Sequence, residues 1–161
     1  MNWLIEVTNA GIQLKYVTFW HEGEEYHNHY FSQWYHGKPF SVNGRSYITA
    51  EQYIMSEKVL LFNDLYHYGL IMQESSPKKG EDLGRLVTYF DSSTWDNTLQ
   101  EIIVHENLRK FQSDIVLVTA LLNTENAILV ETSSYDGIYG AVLAEVDLVN
   151  SDSSLKVKPE S

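Results

Sequence analysis

The sequence A-E-Q-Y-I-M-S-E-K-V-L-L-F-N-D at residues 50–64 predicts the central element of the fold. It follows Thr49, a residue type that often caps the first turn of a helix, and it ends in an Asn-Asp pair typical of a helix exit. It therefore predicts a helix over residues 50–62. The apolar residues are not confined to one stripe but occupy positions 53, 54, 55, 59, 60, 61 and 62. A helix that is apolar nearly all the way round is central and buried by its neighbours.

This predicted helix carries an acid and a cation on one side. Glu51 and Lys58 are seven residues apart, which leaves them about 20° from perfect alignment, with Met55 between them. Charges on a buried helix either pair with each other or face a cavity together, so the two residues form a candidate site. The alternative is that both reach solvent along an exposed stripe. Glu57 lies off this line, and we expect it to be solvated.

Downstream of this helix, the sequence predicts further helices and one short strand. Ser75-Ser76-Pro77-Lys78-Lys79-Gly80 has the composition of a loop. Helical patterns cover residues 64–73, 82–90, 97–111 and 114–122, the last with Ser113 as its cap. Residues 127–130 have the apolar character of a short buried strand, and residues 132–140 that of a loop with two glycines.

Upstream of the helix, the pattern changes from strands to irregular structure. Two β-prone runs at residues 3–7 and 12–20 flank Asn9-Ala10-Gly11 and predict a hairpin or a pair of strands. Residues 21–47 mix histidines and aromatic residues without a regular period, and they close with a turn at Val42-Asn43-Gly44-Arg45. Long irregular segments inside a compact domain are usually functional.

The composition excludes several kinds of protein. The length of 161 residues predicts one domain, and the absence of cysteine excludes disulfide frameworks, thiol catalysis and zinc-finger or iron–sulfur ligation. The net charge of −11 disfavours a broad grip on a nucleic-acid backbone, although a local basic pocket is compatible with it. The sequence has no basic, apolar leader and no run of about 20 apolar residues. We therefore expect a soluble cytoplasmic protein that does not bind a membrane.

Two further segments are candidates for a site. Glu131 ends an apolar run and precedes a glycine-containing loop with Asp136 and Tyr139, which could place two carboxylates beside a substrate. The alternative is an ordinary turn. In Leu83-Gly84-Arg85, the glycine could let the backbone approach a phosphate that the guanidinium holds in a fork.

The histidines do not complete a metal site. His27 and His29 could offer two ligands from one strand face, but the sequence offers no third and fourth ligand at a sensible spacing. We therefore expect no metal, and a metal-dependent hydrolase is kept only as a further hypothesis. The sequence also contains no phosphate-binding glycine loop, no G-x-S-x-G and no H-E-x-x-H.

Taken in order, these motifs resemble the NADAR family, the YbiA-like proteins associated with NAD and ADP-ribose metabolism. The similarity is strongest at residues 50–64. The other matches are Phe19-Trp20, F-S-Q-W-Y (31–35), L-G-R (83–85), F-D (90–91) with Trp95, K-F (110–111), L-L-N-T (121–124) and L-V-E-T-S-S-Y-D-G-I-Y-G (129–140). The resemblance implies a compact, helix-dominated α+β domain with a few short strands over residues 1–150, followed by a flexible tail at residues 151–161.

The resemblance also implies an activity, that of a metal-independent N-glycosidase without a cofactor. Such an enzyme hydrolyses the bond between ribose C1′ and a nitrogen, in a phosphoribosylated riboflavin-pathway intermediate or in ADP-ribose attached to guanine of nucleic acid. The family's active-site positions fall on Glu51, Lys58, Trp95, Glu131 and Asp136, and substrate contacts are expected from Arg85, Trp34, Tyr35, Phe19 and Tyr139.

The chemistry of N-glycoside cleavage suggests roles for these residues. The sugar becomes oxocarbenium-like, so a carboxylate near C1′ can stabilise charge or activate water. Glu51 is expected in this role, with Asp136 or Glu131 as the second carboxylate. Lys58 has three alternatives: it protonates the leaving nitrogen, holds a phosphate, or attacks C1′ as a neutral amine to give a Schiff base.

Aromatic side chains would bind the leaving base. Trp95, with Trp34 or Tyr35, is expected to stack on it. Simple core packing is the alternative for Trp34.

The sequence departs from the family pattern at three places. Glu81 stands where the pattern has a cation, Tyr139 stands where it has Trp, and a G-x-N-x-L-G stretch is missing after residue 140. These departures support an alternative function, that of a catalytically weakened ADP-ribose or nucleotide-binding module.

Overall fold

The structure, a computed structural model, describes residue 11 and residues 13–20 and 28–132. Two compact units are present: a sheet unit from residues 1–32 and 124–161, and a helical unit from residues 33–123. The predictions for residues 3–7, for Asn9 and Ala10 of the predicted turn, for residues 133–140 and for the tail fall outside the described residues. None of the helices in the described residues has the length and hydrophobicity of a transmembrane segment.

The sheet unit joins two distant parts of the chain in a parallel pair of strands. Strand β1 (Tyr16–Phe19) pairs with β4 (Ile128–Glu131), with Phe19 opposite Glu131. The N–H of Thr132 donates to the carbonyl of Phe19 at 3.1 Å beyond the end of the pair. The strand predicted at residues 127–130 is thus confirmed to within one residue, but the expectation that it is buried is wrong, because its side chains are half-buried or exposed. A short 3₁₀ helix (His29–Phe31) completes the described part of this unit.

The helical unit begins with an antiparallel hairpin. Strands β2 (Phe40–Val42) and β3 (Arg45–Tyr47) meet at the predicted turn. Asn43 and Gly44 both have positive φ, 51° and 78°, a backbone conformation that these two residue types adopt at low cost. The turn prediction is confirmed for this reason.

Helices make up the rest of this unit. They are α1 (Ala50–Leu61), α2 (Leu65–Ile71), α3 (Pro77–Arg85), α4 (Ser92–Gln112) and α5 (Ile115–Leu122). Helix α1 is central and packs against α2, α3 and α4. Thr49 caps it, because its hydroxyl accepts the N–H of Gln52 at 3.1 Å. The predicted central helix and the helix-dominated α+β fold are confirmed.

The loop predicted at residues 75–80 is confirmed at Ser75 and Ser76 and wrong from Pro77 onward, where a helix begins. Ser76 caps α3 by accepting the N–H of Lys79, and Pro77 is the first helical residue. Proline is favoured there because a first-turn N–H has no partner inside the helix. Helix α3 ends at Arg85, so the helix predicted over residues 82–90 is confirmed for residues 82–85 and wrong beyond them.

One helix start and one helix cap also differ from the prediction. Helix α4 begins at Ser92 rather than residue 97, because the Asp91 carboxylate accepts the N–H of Thr94 at 2.7 Å. The cap of α5 is Asp114, which accepts the N–H of Val116 at 2.8 Å, and not Ser113. In each case an aspartate supplies the first-turn acceptor.

Candidate active site

Glu51 and Lys58 do not lie on an exposed stripe of helix α1, which was the alternative to a candidate site. Glu51 is only 6% exposed, and Lys58 is half-buried. Burial lowers the pKa of Lys58, and the positive charge of Arg85 lowers it further. The negative charges of Glu51 and Glu81 oppose this shift. Charges from both α1 and α3 therefore act on Lys58.

Two aromatic rings surround the Lys58 ammonium. Its Nζ lies 4.8 Å from the centre of the Phe90 ring and 5.3 Å from that of Trp95, which is cation–π distance. Trp95 is 8% exposed in the first turn of α4, whereas Phe90 is 45% exposed and its ring lies 5.2 Å from that of Phe62. The cation is thus held between a core tryptophan and a partly exposed phenylalanine.

Phe90 is a site residue that the sequence does not predict. It belongs to the F-D motif at residues 90–91, a pattern that by itself indicates no role for the phenylalanine. Its neighbour Tyr89 is 92% exposed and has φ 55°, an uncommon conformation for a bulky side chain. Such outliers concentrate at functional sites, which is a signal that only the structure provides.

Gly84 has a different role from the predicted one. A Cβ at this position would lie 2.3 Å from Met55 Sδ. Because Met55 lies between Glu51 and Lys58 on α1, the glycine serves the close approach of α3 to the site-bearing helix. The expectation that Gly84 brings the backbone to a phosphate is therefore replaced by a packing role.

Arg85 lies at the end of α3, where its guanidinium contacts the Glu81 carboxylate one turn earlier. The Arg85 side chain is 65% exposed. The acid that departs from the family pattern is therefore the partner of the predicted phosphate ligand. Arg85 as a phosphate contact stays a prediction.

The segment with Trp34 and Tyr35 is fixed to the start of α1. The carbonyl of Gln33 accepts the N–H of Glu51 at 3.0 Å, and both aromatic side chains are half-buried. The Tyr35 ring packs over Gly37, and its centre lies 5.9 Å from Lys110 Nζ. A backbone hydrogen bond therefore links the segment that carries Trp34 and Tyr35 to the turn of α1 that carries Glu51.

The remaining predicted site residues belong to the other unit or fall outside the described residues. Phe19 and Glu131 are paired across β1 and β4 in the sheet unit. Asp136 and Tyr139 lie outside the described residues. In the helical unit the structure thus groups Glu51, Lys58, Arg85 and Trp95 with the newly found Phe90.

Asp64, the last residue of the motif at residues 50–64, links two parts of the helical unit through hydrogen bonds. Its carboxylate accepts the N–H groups of His67 at 3.1 Å and Thr88 at 2.9 Å, and also bonds His67 Nδ1 and the Thr88 hydroxyl. These hydrogen bonds hold the pKa of Asp64 well below its usual range. The Asp64 carboxylate therefore links the start of α2 to the segment that leads to Phe90.

A second group of titratable residues lies between α1 and α4. The Tyr53 hydroxyl and His105 Nδ1 are 2.7 Å apart, and burial raises the pKa of Tyr53 to about 12. Glu57 is half-buried, and burial raises its pKa, so the expectation of a solvated side chain is wrong. The positive charges of His105 and Arg45 oppose this rise in the pKa of Glu57.

Helix α4 also carries a buried acid and a buried base that the sequence does not predict. Glu106 is 0% exposed, and its carboxylate oxygens have no hydrogen-bond partner among the described residues. Burial raises the pKa of Glu106 and lowers the pKa of Lys110, one turn later. The i,i+4 spacing of an acid and a base was visible in the sequence, but the burial was not.

The described residues contain no group of three or more side chains suited to hold a metal ion. His27, which the metal hypothesis used, lies outside them. Metal independence therefore stays a prediction.

Comparison with known proteins gives consistent matches. The family model for the NADAR domain matches residues 18–156. The chain is 39% identical over 127 residues to an N-glycosidase of Acanthamoeba polyphaga mimivirus, covering 76% of this chain and 74% of that protein. It is 31% identical over 100 residues to protein irg-1 of Caenorhabditis elegans, covering 61% and 47% respectively. The NMR structure of the E. coli protein YbiA matches with a TM-score of 0.68 and 25% identity, covering 80% of this chain and 73% of that one.

Proposed function

This chain belongs to the NADAR family and is an N-glycosidase, and we propose that it hydrolyses the bond between ribose C1′ and a nitrogen in a ribosyl-phosphate or ADP-ribosyl compound. The observation that carries the proposal is the presence on α1 of a buried acid, Glu51, and a half-buried cation, Lys58, which lies beside Trp95. A binding module would not need to hold an acid and a base on one face of its central helix.

The reaction follows from these groups. Water attacks C1′ while the C1′–N bond breaks and its electron pair leaves with the nitrogen. Glu51 takes a proton from the attacking water and stabilises the positive sugar, and Lys58 gives a proton to the departing nitrogen. The products are the free base or amine and a sugar with a hydroxyl at C1′. After release of the products, Glu51 gives up the proton it took and Lys58 takes up one proton, either directly or through solvent, so that both residues return to their starting states.

The environment of Lys58 suits a proton donor. Burial and the charge of Arg85 lower its pKa, and an ammonium with a lowered pKa is a better general acid near neutral pH. The same shift favours a neutral amine that attacks C1′. Reduction with cyanoborohydride during turnover separates the two roles, because only a Schiff base leaves the sugar attached to Lys58.

The rest of the substrate would meet aromatic and acidic residues. Phe90 and Trp95 offer rings on which the leaving base can stack, with Trp34, Tyr35, Phe19 and Tyr139 as further proposed contacts. Glu131 or Asp136 is the proposed second carboxylate. The net charge of −11 favours a small nucleotide, or one unpaired base, over a long duplex as the bound partner.

The test is turnover with two substrates, ADP-ribosylated guanosine and a ribosylaminopyrimidine phosphate, with free base or amine measured by chromatography. We expect release from at least one, with Glu51→Gln reduced by about 100-fold or more. Glu57→Gln, a change of the same type on the same helix, is the control and should retain activity. No release from either substrate, together with unchanged ADP-ribose binding by Glu51→Gln, would support the binding-module alternative instead. Loss of activity in EDTA would contradict metal independence.

A further inference from the structure

The outer face of α3 carries four charged side chains at helical spacing, and one acid joins the two cations. Lys78 Nζ lies 3.1 Å from Glu81 Oε2 and 2.9 Å from Asp82 Oδ1. Arg85 Nη2 contacts Glu81 Oε1. Glu81 is therefore shared by Lys78 and Arg85, whereas Asp82 contacts Lys78. Two cations and two anions leave this cluster without net charge.

This α3 cluster borders the candidate active site. Gly84, next to Arg85, lies against Met55 of α1. The charges of Arg85 and Glu81 both act on Lys58, in opposite directions. Glu81 is also less exposed than its partners, with 24% of its side chain accessible against 65% for Arg85. A phosphate that reached Arg85 from the Lys58 side would meet the Glu81 carboxylate as well.

Phosphate monoesters and diphosphate esters differ in the charge they would bring to Arg85. A monoester carries close to two negative charges at neutral pH on one phosphorus, whereas each phosphorus of a diphosphate diester carries one. Repulsion by a carboxylate scales with that charge. Arg85 has five N–H donors in a planar fork, so its contact with Glu81 leaves donors for a singly charged phosphate oxygen.

We propose that Glu81 is a specificity-determining residue, which pairs with Arg85 and thereby makes the site prefer diphosphate esters of the ADP-ribosyl type over ribosyl 5′-monophosphates. This inference rests on the proposed function, because it concerns the same site. Of the two substrate classes in the proposed function, it selects the ADP-ribosyl compounds over the ribosyl phosphates. The preference comes from repulsion of the doubly charged monoester, and removing the carboxylate charge relieves it.

The experiment measures ligand binding by calorimetry at low ionic strength, where exposed charges are least screened. The probes are ribose 5-phosphate and ADP-ribose, and the proteins are the parent, Glu81→Gln and Asp82→Asn. Asp82→Asn is the matched control, because it removes one acid from the same helix but does not touch the acid that contacts Arg85. Thermal melting checks that each variant is folded, and exposed ion pairs of this kind contribute little to stability.

We expect Glu81→Gln to tighten ribose 5-phosphate binding on the order of tenfold, with a clearly smaller gain for ADP-ribose. We expect Asp82→Asn to change both affinities by less than about twofold. Equal gains for both ligands in Glu81→Gln, or equal effects of the two variants, would show a general charge effect and overturn the proposal.

Absence of binding by both ligands to all three proteins would also overturn it. Release of free base in the turnover assay is measured independently. That release would uphold the proposed function even if the specificity proposal failed.

Discussion

Replacing Gly84 with alanine tests whether the contact between α1 and α3 needs a residue without a side chain. The added Cβ would lie 2.3 Å from Met55 Sδ, 3.0 Å from its Cγ and 3.2 Å from its Cβ. Rotating the methionine side chain moves the sulfur away, but Cβ is fixed by the backbone of α1. The helices must therefore separate by several tenths of an ångström.

Gly80, one turn earlier in α3, provides a matched control. A Cβ at Gly80 meets no atom within 4 Å. Alanine in a helix interior is favoured over glycine by about 0.5–1 kcal/mol, so Gly80→Ala should stabilise the protein by about that amount. At Gly84 the same gain is opposed by an overpacking cost of about 1–3 kcal/mol. We expect Gly84→Ala to be less stable than Gly80→Ala by about 1–3 kcal/mol.

The assay is urea unfolding followed by circular dichroism, with both variants measured beside the parent. Base release is measured in parallel, and we expect Gly84→Ala alone to lose activity, since Met55 lies between Glu51 and Lys58. Equal stability and equal activity of the two variants would refute the packing role of Gly84.

Three further predictions concern charged residues. Lys58→Met should lower the rate of base release by about 100-fold or more without lowering the melting temperature, because the change removes a half-buried charge; retained activity would remove Lys58 from the mechanism. Asp64→Asn should lower the urea midpoint at pH 7. Because the native pKa of Asp64 is depressed, its contribution is present above about pH 4 and is lost as the pH falls, so the variant and the parent should converge in acid, and a constant difference would contradict this. Glu106 has a raised native pKa, so the parent should lose stability as the pH rises from about 4.5 towards neutral. Glu106→Gln should lack that loss in urea midpoints measured across the range, and an unchanged slope would contradict the assignment.

The parts of the fold that the sequence predicted correctly depend on local interactions. The Thr49 cap, the central position of α1 and the Asn43-Gly44 turn are each determined by a few adjacent residues. The start of α3 was missed because Ser-Ser-Pro is common both in loops and at helix N-termini. Composition alone cannot separate those two uses.

The candidate site was only partly visible in the sequence, for a physical reason. The Glu51 and Lys58 spacing on α1 was readable because helical geometry is regular. The contact of Phe90 with Lys58 and the complete burial of Glu106 depend on how α1 and α4 pack, and no local pattern records that packing. The role of Gly84 was misassigned for the same reason, since Met55 lies on a different helix.

The pairing of β1 with β4 has a consequence for synthesis of the chain. Phe19 and Thr132, joined by a hydrogen bond, are 113 residues apart. At about 5–20 residues per second, β1 leaves the ribosome on the order of 5–20 seconds before its partner strand exists. During that interval the helices of residues 50–122, whose contacts are more local, have time to form. A chain cut short before residue 128 would therefore keep β1 without this partner, and an unpaired strand edge is a site for association between chains.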